Sequence, residues 1–396
     1  MYSGKTIFSQ IIDHSPKRQF DYLVSKYKGN HRIRTFSCWD QYLCMSFAQL
    51  TYRDSLRDLE ACLRAQPQKL YHLGIRGNPS RTNIADANQK RDWRIYREFA
   101  QGLISQAKSL YQEENPFSIE LENTVYALDS TTIDLCLSLF PWAKFRKAKS
   151  AVKLHTLLDM RGSIPSYIKI TGGSVHDVNI LDDLVLEPGS FYVMDRGYVD
   201  FKRLYRINTN LCYFITRAKK NMVYHRLYSA QIDGTTGLRS DQTIIVDGTN
   251  SKNKYPDKLR RIRFYDKETD KYFVFITNNF EISALIIAEL YKNRWKIELF
   301  FKWIKQHLKI KRFFGTSFNA VKTQIWIAIS VYVLVAIIKK KYHLETSLYS
   351  ILQVLSLSLL EKASLYELLI RKPHEKQQVV EQDQMSFFDY INAKES

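Results

Sequence analysis

The sequence predicts an α/β protein whose mixed core carries an all-β insertion and is flanked by helical regions at both ends. Three observations predict it. Apolar residues recur at helical spacing from Ile7 to about Leu73 and again from Ile282 onward; short β-branched and aromatic runs begin at Asn123; and from about Ala218 to Asn279 strands and polar turns alternate with no helical period. At 396 residues the chain can hold two or three domains around at least one sizeable core.

Leu43, Phe47 and Leu50, then Leu56, Leu59 and Leu63, mark an N-terminal helical unit, residues 1–76. Its basic residues Lys17, Arg18, Lys26, Lys28, Arg32 and Arg34 lie near helix ends, placed either for phosphate contacts or as solvated surface. Gly74 to Ser80 is a linker opening a helical connector, 77–122, with a helix around Trp93 to Tyr111. The first part of the core, 123–217, starts with a strand from Thr124 to Leu128 that leads into Asp129. Ala151–Leu158 and Ile164–Thr171 form a hairpin turned at Asp159 to Gly162. Asp177 reads as the N-cap of a helix through Leu186, and Ser190 to Met194 as a buried strand ending at Asp195. A helix near Phe201 and a strand, Cys212–Thr216, follow. Strand, hairpin, helix, strand is the order of an RNase-H-like core, in which the first strand and the strand after the helix lie side by side. In the insertion, 218–279, Asp266 to Lys271 is a turn between Leu259–Tyr265 and Tyr272–Thr277. A core helix region (280–320), a C-terminal helical region (321–372) and a polar tail (373–396) complete the chain.

Lys and Arg outnumber Asp and Glu by 59 to 40, a formal charge of +19, which points to a polyanionic partner, nucleic acid before all others. The five cysteines are scattered and never paired as C-x-x-C, which excludes a disulfide framework or zinc site and fits a reducing cytoplasm. The N-terminus lacks the apolar run of a secretory signal. Ile325 to Ile338 is too short to span a membrane, which takes about 20 residues, and reads as a buried core helix.

The segment from Tyr291 to Lys305 has no helix breaker. At roughly 100° per residue, Tyr291, Arg294, Glu298 and Lys305 share a stripe about 60° wide, which Lys302 and Lys309 extend. A carboxylate beside a phenol, a guanidinium and an ammonium suits a metal-bound phosphodiester, the acid holding the cation and the others the flanking phosphates. The same stripe could be a solvated basic face with one paired glutamate. The spacing Y-(2)-R-(3)-E-(6)-K resembles the signature of the DDE transposases of the IS-four insertion-sequence family. Leu128-Asp129-Ser-Thr, Lys153-Leu-His155, His176-Asp177 and Met194-Asp195-Arg-Gly-Tyr198 are also similar to that family's blocks, so the resemblance covers most of residues 120–315.

The resemblance implies a cut-and-paste transposase in which Asp129, Asp195 and Glu298 are catalytic and bind two Mg²⁺ ions, with Mn²⁺ as a substitute. It also implies that the enzyme cuts the element's ends, often through a hairpin, and joins the 3′-hydroxyls to target DNA as a homodimer. Trp295 either stacks on an extruded base or packs the helix on the sheet; no tryptophan of the insertion could trap a second base. Tyr291, Arg294, Lys302 and Lys305 are expected on DNA, and the run Lys144, Arg146, Lys147 either touches DNA or is a solvated loop. His155 and His176 are expected to be structural. The apolar helices between Val321 and Leu369 either pair between chains or fill their own core. In the tail, Gln384, Met385, Phe387 and Phe388 resemble the peptide by which bacterial proteins dock on the replication sliding clamp. A repressor that kept this fold would carry a broken triad, and a nuclease of the fold would cleave without joining.

Overall fold

The computed structural model describes residues 4–114, 121–146, 149–306 and 313–370. The chain opens in helices: α1 (Ile7–Asp13), α2 (Lys17–Lys26), α3 (Cys38–Leu50), α4 (Leu56–Arg64), α5 (Pro67–Leu70), α6 (Arg81–Lys90) and α7 (Arg94–Tyr111). Ser37 and Asp40 make a reciprocal capping box at α3, and the Ser55 and Ser80 hydroxyls accept backbone N–H bonds at α4 and α6. These bonds satisfy donors that a first helical turn leaves without partners.

Strands β1 (Val125–Leu135), β2 (Lys144–Arg146), β3 (Lys149–Asp159), β4 (Ile164–Gly172) and β5 (Phe191–Met194) follow. Then come α8 (Phe201–Thr209), β6 (Tyr213–Arg217), β7 (Tyr224–Ser229), β8 (Leu238–Val246), α9 (Thr249–Lys252), β9 (Leu259–Asp266) and β10 (Lys271–Thr277). Among the described residues they form one 10-stranded sheet. β4, β3, β1, β5 and β6 lie in that order, antiparallel from β4 to β1 and parallel from β1 to β6, which is the RNase-H-like arrangement. Val125–Leu128 and Phe191–Met194 are buried throughout, as strands covered on both faces must be. The insertion continues the core sheet: β10 pairs with β6, and β9, β8 and β7 add outward. Its hairpin turns where expected, with Asp266 opposite Lys271.

Two local expectations are corrected. Residues Asp177–Asp183 form a 3-10 helix, and Asp177 does not cap it. The Asp177 carboxylate is taken by the core, accepting from Ser130 Oγ at 2.7 Å and Lys153 Nζ at 3.1 Å. β1 does not stop at Asp129 but runs on to Leu135, paired with β3.

The C-terminal part holds α10 (Ala284–Asn293), α11 (Trp295–Gln306), α12 (Phe318–Lys341), α13 (Leu348–Ser358) and α14 (Leu365–Ile370). By length and composition α12 could cross a membrane, yet 94% of its apolar window is buried inside the fold. A helix apolar on every side must be covered on every side, and α1, α3, α6, α7, α11 and α13 all pack on it. The N- and C-terminal helical regions therefore pack together, tied by bonds from the Ile7 and Phe8 N–H groups to the Glu361 and Leu359 carbonyls at 2.9 and 3.0 Å. Val321 to Ile338 fill the chain's own core, which removes α12 as a dimer surface. Lys147, Lys309, Gln384, Met385, Phe387 and Phe388 lie outside the described residues.

Candidate active site

Parallel pairing of β1 with β5 ends at Leu128 opposite Met194. Asp129 and Asp195 are the next residues on neighbouring strands. By strand alternation both fall on the face that carries Ala127 and Val193, against which α10 and α11 pack. The two aspartates and the helix that bears Glu298 thus meet at one end of the parallel strands.

The helix expected to run unbroken from Tyr291 to Lys305 is broken at Arg294. There the Arg294 and Ile297 N–H groups reach back only three residues, to the Tyr291 and Arg294 carbonyls, at 3.0 and 3.1 Å. At the break the Arg294 guanidinium is held between two acids, Nη1 donating to Asp129 Oδ2 at 2.8 Å and Nη2 to Glu298 Oε1 at 2.5 Å. Asp195 Oδ1 accepts from Arg217 Nη2 at 2.8 Å and from the Tyr291 hydroxyl at 3.4 Å. Arg294 thus joins Asp129 to Glu298, Arg217 and the Tyr291 phenol hold Asp195, and the Arg294 guanidinium lies 5.8 Å from the centroid of the Tyr291 ring between the two sets. The guanidinium Nε of Arg294 is buried with no partner among the described residues.

The charges explain the protonation preferences. Burial raises the Asp129 carboxyl above its usual range, and the neighbouring Asp195 and Glu298 charges add to it, against Arg294 and the Ser130 N–H. Burial pulls Asp195 the same way, but the bonds and charge of Arg217, with the Arg196 N–H and Arg294, outweigh it and hold that carboxyl below the usual range. Three carboxylates are hard oxygen donors, which fit a hard divalent cation rather than a softer one. Among the described residues no three acid, His or Cys side chains form a ready-made chelate, since Arg294 stands between Asp129 and Glu298.

The sequence profile of the Transposase DDE domain matches residues 120–334, and a domain of unknown function (DUF4372) matches residues 3–76. A putative transposase, y4zB, of Sinorhizobium fredii is 32% identical over 69% of this chain and 74% of its own length. The chain belongs to the DDE transposases. A probable transposase for insertion sequence element IS5377 of Geobacillus stearothermophilus is 31% identical over 55% of this chain and 57% of its own length. A putative transposase for insertion sequence element IS4SA of Synechocystis is 27% identical over 74% and 82%. These relatives bear out the resemblance to insertion-sequence transposases. A solved piggyBac transposase synaptic complex with hairpin DNA overlaps 95% of this chain and 83% of its own at 11% identity and a TM-score of 0.44, too distant a likeness to argue from.

The other residues singled out in the transposase sequence separate into two groups. Trp295, 57% exposed, lines a cleft of about 540 Å³ between the β9–β10 hairpin and the junction of α10 and α11, together with Phe264, Phe273, Tyr291, Arg294 and Glu298. Lys305 is half-buried about two turns beyond Glu298. Lys302, exposed one turn beyond Glu298 on α11, also lines a second cleft with Lys296, Trp303, Tyr332 and Lys339. Lys144 is exposed on β2, next to the end of β3 that pairs with Leu135, and Arg146 ends β2. Arg217 was missed. Its signal was its place just after the buried strand Phe214–Thr216, at the same end of the parallel strands as Asp195, with only strand pairing to make that visible.

His155 is fully buried, with Nε2 2.8 Å from Thr171 Oγ1 and Nδ1 3.6 Å from Asp177 Oδ1. Burial pushes its pKa down to about 4, with Asp177 pulling weakly the other way. The fold thus holds the neutral ring, whereas the unfolded chain takes up a proton near the ordinary 6.5. Stability from this group is complete above pH 6.5, falls as pH drops toward 4, and totals about 3 kcal/mol for a shift of that size. Urea unfolding at pH 7.5, 6 and 4.5 should follow that decline, and His155→Asn should flatten it. An equally steep decline in the variant removes His155 as the cause.

Proposed function

We propose that this transposase excises an insertion sequence by metal-dependent hydrolysis at its two ends and joins the freed 3′-hydroxyls to target DNA, with Asp129, Asp195 and Glu298 as the catalytic carboxylates. The observation that supports this reading is that Asp129 and Asp195 follow directly on adjacent parallel strands, with Arg294 bonding Asp129 to the helix-borne Glu298. Asp129, Asp195 and Glu298 would hold two Mg²⁺ ions, for which Mn²⁺ substitutes. When bound, such ions activate the attacking water or 3′-hydroxyl and neutralise charge at the scissile phosphate. The chain's own cations do the rest. Arg294 and Arg217 turn from the carboxylates to the phosphate as DNA enters, the free Nε–H of Arg294 offering one further bond. Tyr291 and Lys305 hold flanking phosphates, and Lys144, Arg146, Lys147 and Lys302 meet the DNA backbone.

Trp295 supports a hairpin route. An indole that lines, with Phe264 and Phe273, a cleft that reaches Glu298 can receive an extruded base, and such stacking contributes about 1–3 kcal/mol. These phenylalanines supply the aromatic wall that no tryptophan of the insertion provides.

The test is incubation of the protein with Mg²⁺, a duplex carrying the element's inverted repeat, and a supercoiled target. Excised ends followed by joined product are expected; cleavage without joining would leave a nuclease. We also read the protein as a homodimer at catalysis, since two ends are processed together, and the tail residues Gln384, Met385, Phe387 and Phe388 as a dock for the sliding clamp. Native mass measurement of the end-DNA complex with clamp added counts both. One chain per joined pair of ends, or no clamp retained, removes the respective reading.

A further inference from the structure

The β9 strand carries three arginines of two kinds. Arg260 points to the face covered by the helices, where Asp241 receives its Nε and Nη2 at 2.9 and 2.7 Å, and it is only 8% exposed. Arg261 and Arg263 are set apart from it by strand alternation. Each lies on a tyrosine ring, Arg261 4.9 Å from the centroid of Tyr224 and Arg263 4.9 Å from that of Tyr272. Arg239, on β8, lies 5.4 Å from Tyr265, and Tyr265 and Tyr272 are themselves 4.9 Å apart. No ion pair with a carboxylate is recorded among the described residues for Arg239, Arg261 or Arg263. Their bonds go to the Gly234 and Leu238 carbonyls and the Gln242 amide oxygen, and the one acid in the array, Asp270, accepts from the Tyr265 hydroxyl.

Three guanidiniums set over phenol rings and without an ion pair among the described residues are an unusual surface for a structural purpose. A structural arginine is most useful in the Arg260 manner, bonded to a carboxylate. A stacked guanidinium keeps its forked edge free and has already lost much of its rotamer freedom, so it pays little entropy when an oxyanion arrives. Along β9 the array covers about 13 Å, and across four strands about 14 Å. That matches about four base pairs of duplex at 3.4 Å rise, enough for two or three phosphates of one strand.

The array lies on the face of the sheet away from the helices, and the hairpin tip connects it to the active site. The tip of the same hairpin, Tyr265 to Thr269, lines the cleft that reaches Tyr291, Arg294, Trp295 and Glu298. We propose that the stacked arginines Arg239, Arg261 and Arg263 are a second duplex-DNA contact, holding the phosphate backbone of the DNA whose cleavage site lies at the carboxylates. The contact reads charge and backbone shape rather than base sequence. This inference rests on the proposed function for its choice of DNA, but not on the chemistry of cleavage.

The experiment measures binding of the full-length protein to inverted-repeat duplex between 50 and 300 mM NaCl, without divalent metal so that cleavage plays no part. The variant combines Arg239→Gln, Arg261→Gln and Arg263→Gln, with thermal unfolding as the check on folding. Each lost phosphate contact should make the slope of log affinity against log salt shallower by about 0.9, so a change of about 2 to 3 is expected, with at least a tenfold weaker complex at low salt. A second variant, Tyr265→Leu with Tyr272→Leu, keeps the charges and removes their platforms; it should weaken binding with the slope unchanged. A triple variant that unfolds like the wild type and binds with the same slope and affinity overturns the inference. If the wild type fails to cleave but the triple variant still loses slope, the proposed chemistry falls and this contact stands.

Discussion

Asp129→Ala, Asp195→Ala and Glu298→Ala are each expected to reduce cleavage of inverted-repeat DNA by at least about a thousandfold, equivalent to about 4 kcal/mol of transition-state stabilisation. Each change removes one of the three oxygen donors around a site whose remaining contacts are made by cations. The Asp129 substitution also strips Arg294 of one partner, and the Asp195 substitution strips Arg217. DNA binding measured without metal should stay within a fewfold of the wild type, because it draws on arginines and lysines spread over the surface. That separation is the diagnostic part. A variant that had lost its fold would lose binding and cleavage together, whereas the loss of a metal-holding carboxylate leaves a complex that assembles and does not react. Retention of substantial cleavage by any one of the three in Mg²⁺ removes that residue from the catalytic set.

The parts of this fold legible in the sequence are those fixed by neighbours in the chain. The Asp159 to Gly162 and Asp266 to Lys271 turns were visible because turn residues stand between alternating runs, and both hairpins form there. Asp195 was visible because four buried residues precede it. What was not legible depends on partners far away in sequence. Asp177 has the chemistry of an N-cap, but Ser130 and Lys153, which arrive from two other strands, take its carboxylate and the expected helix shortens to a 3-10 turn. Nothing between Tyr291 and Lys305 breaks a helix by propensity, yet the chain turns at Arg294, where a guanidinium spans acids from β1 and α11. Arg217 is one of 59 basic residues and becomes distinct only when β6 is seen beside β5. The apolar helix α12 was recognisable as buried, but its cover comes from both ends of the chain, which a linear reading had kept as separate regions.

Arg294→Ala should move two measurements in opposite directions. In the free protein Arg294 neutralises Asp129 and Glu298 directly, with its side chain only 14% exposed. Removing it leaves those two carboxylates without their shared counter-cation and opens the space between them. Mn²⁺ binding to the protein without DNA, followed by electron paramagnetic resonance, should therefore tighten by about tenfold or more, each factor of ten corresponding to about 1.4 kcal/mol. End cleavage should instead fall by about a hundredfold, since one or two charge-assisted bonds to the scissile phosphate, worth about 1.5–3 kcal/mol each, are lost. Arg294→Lys keeps the charge but cannot bridge two acids through separate nitrogens, so its Mn²⁺ affinity should lie between those of the wild type and the alanine variant. Adding inverted-repeat DNA to the wild type should tighten Mn²⁺ binding as well, because phosphates draw the guanidinium off the carboxylates. In the alanine variant DNA should have a smaller effect, as there is no guanidinium to displace. If Arg294→Ala leaves Mn²⁺ binding unchanged or weaker in the absence of DNA, Arg294 is not the counter-cation of the site, and its bonds to Asp129 and Glu298 only brace the junction between α10 and α11.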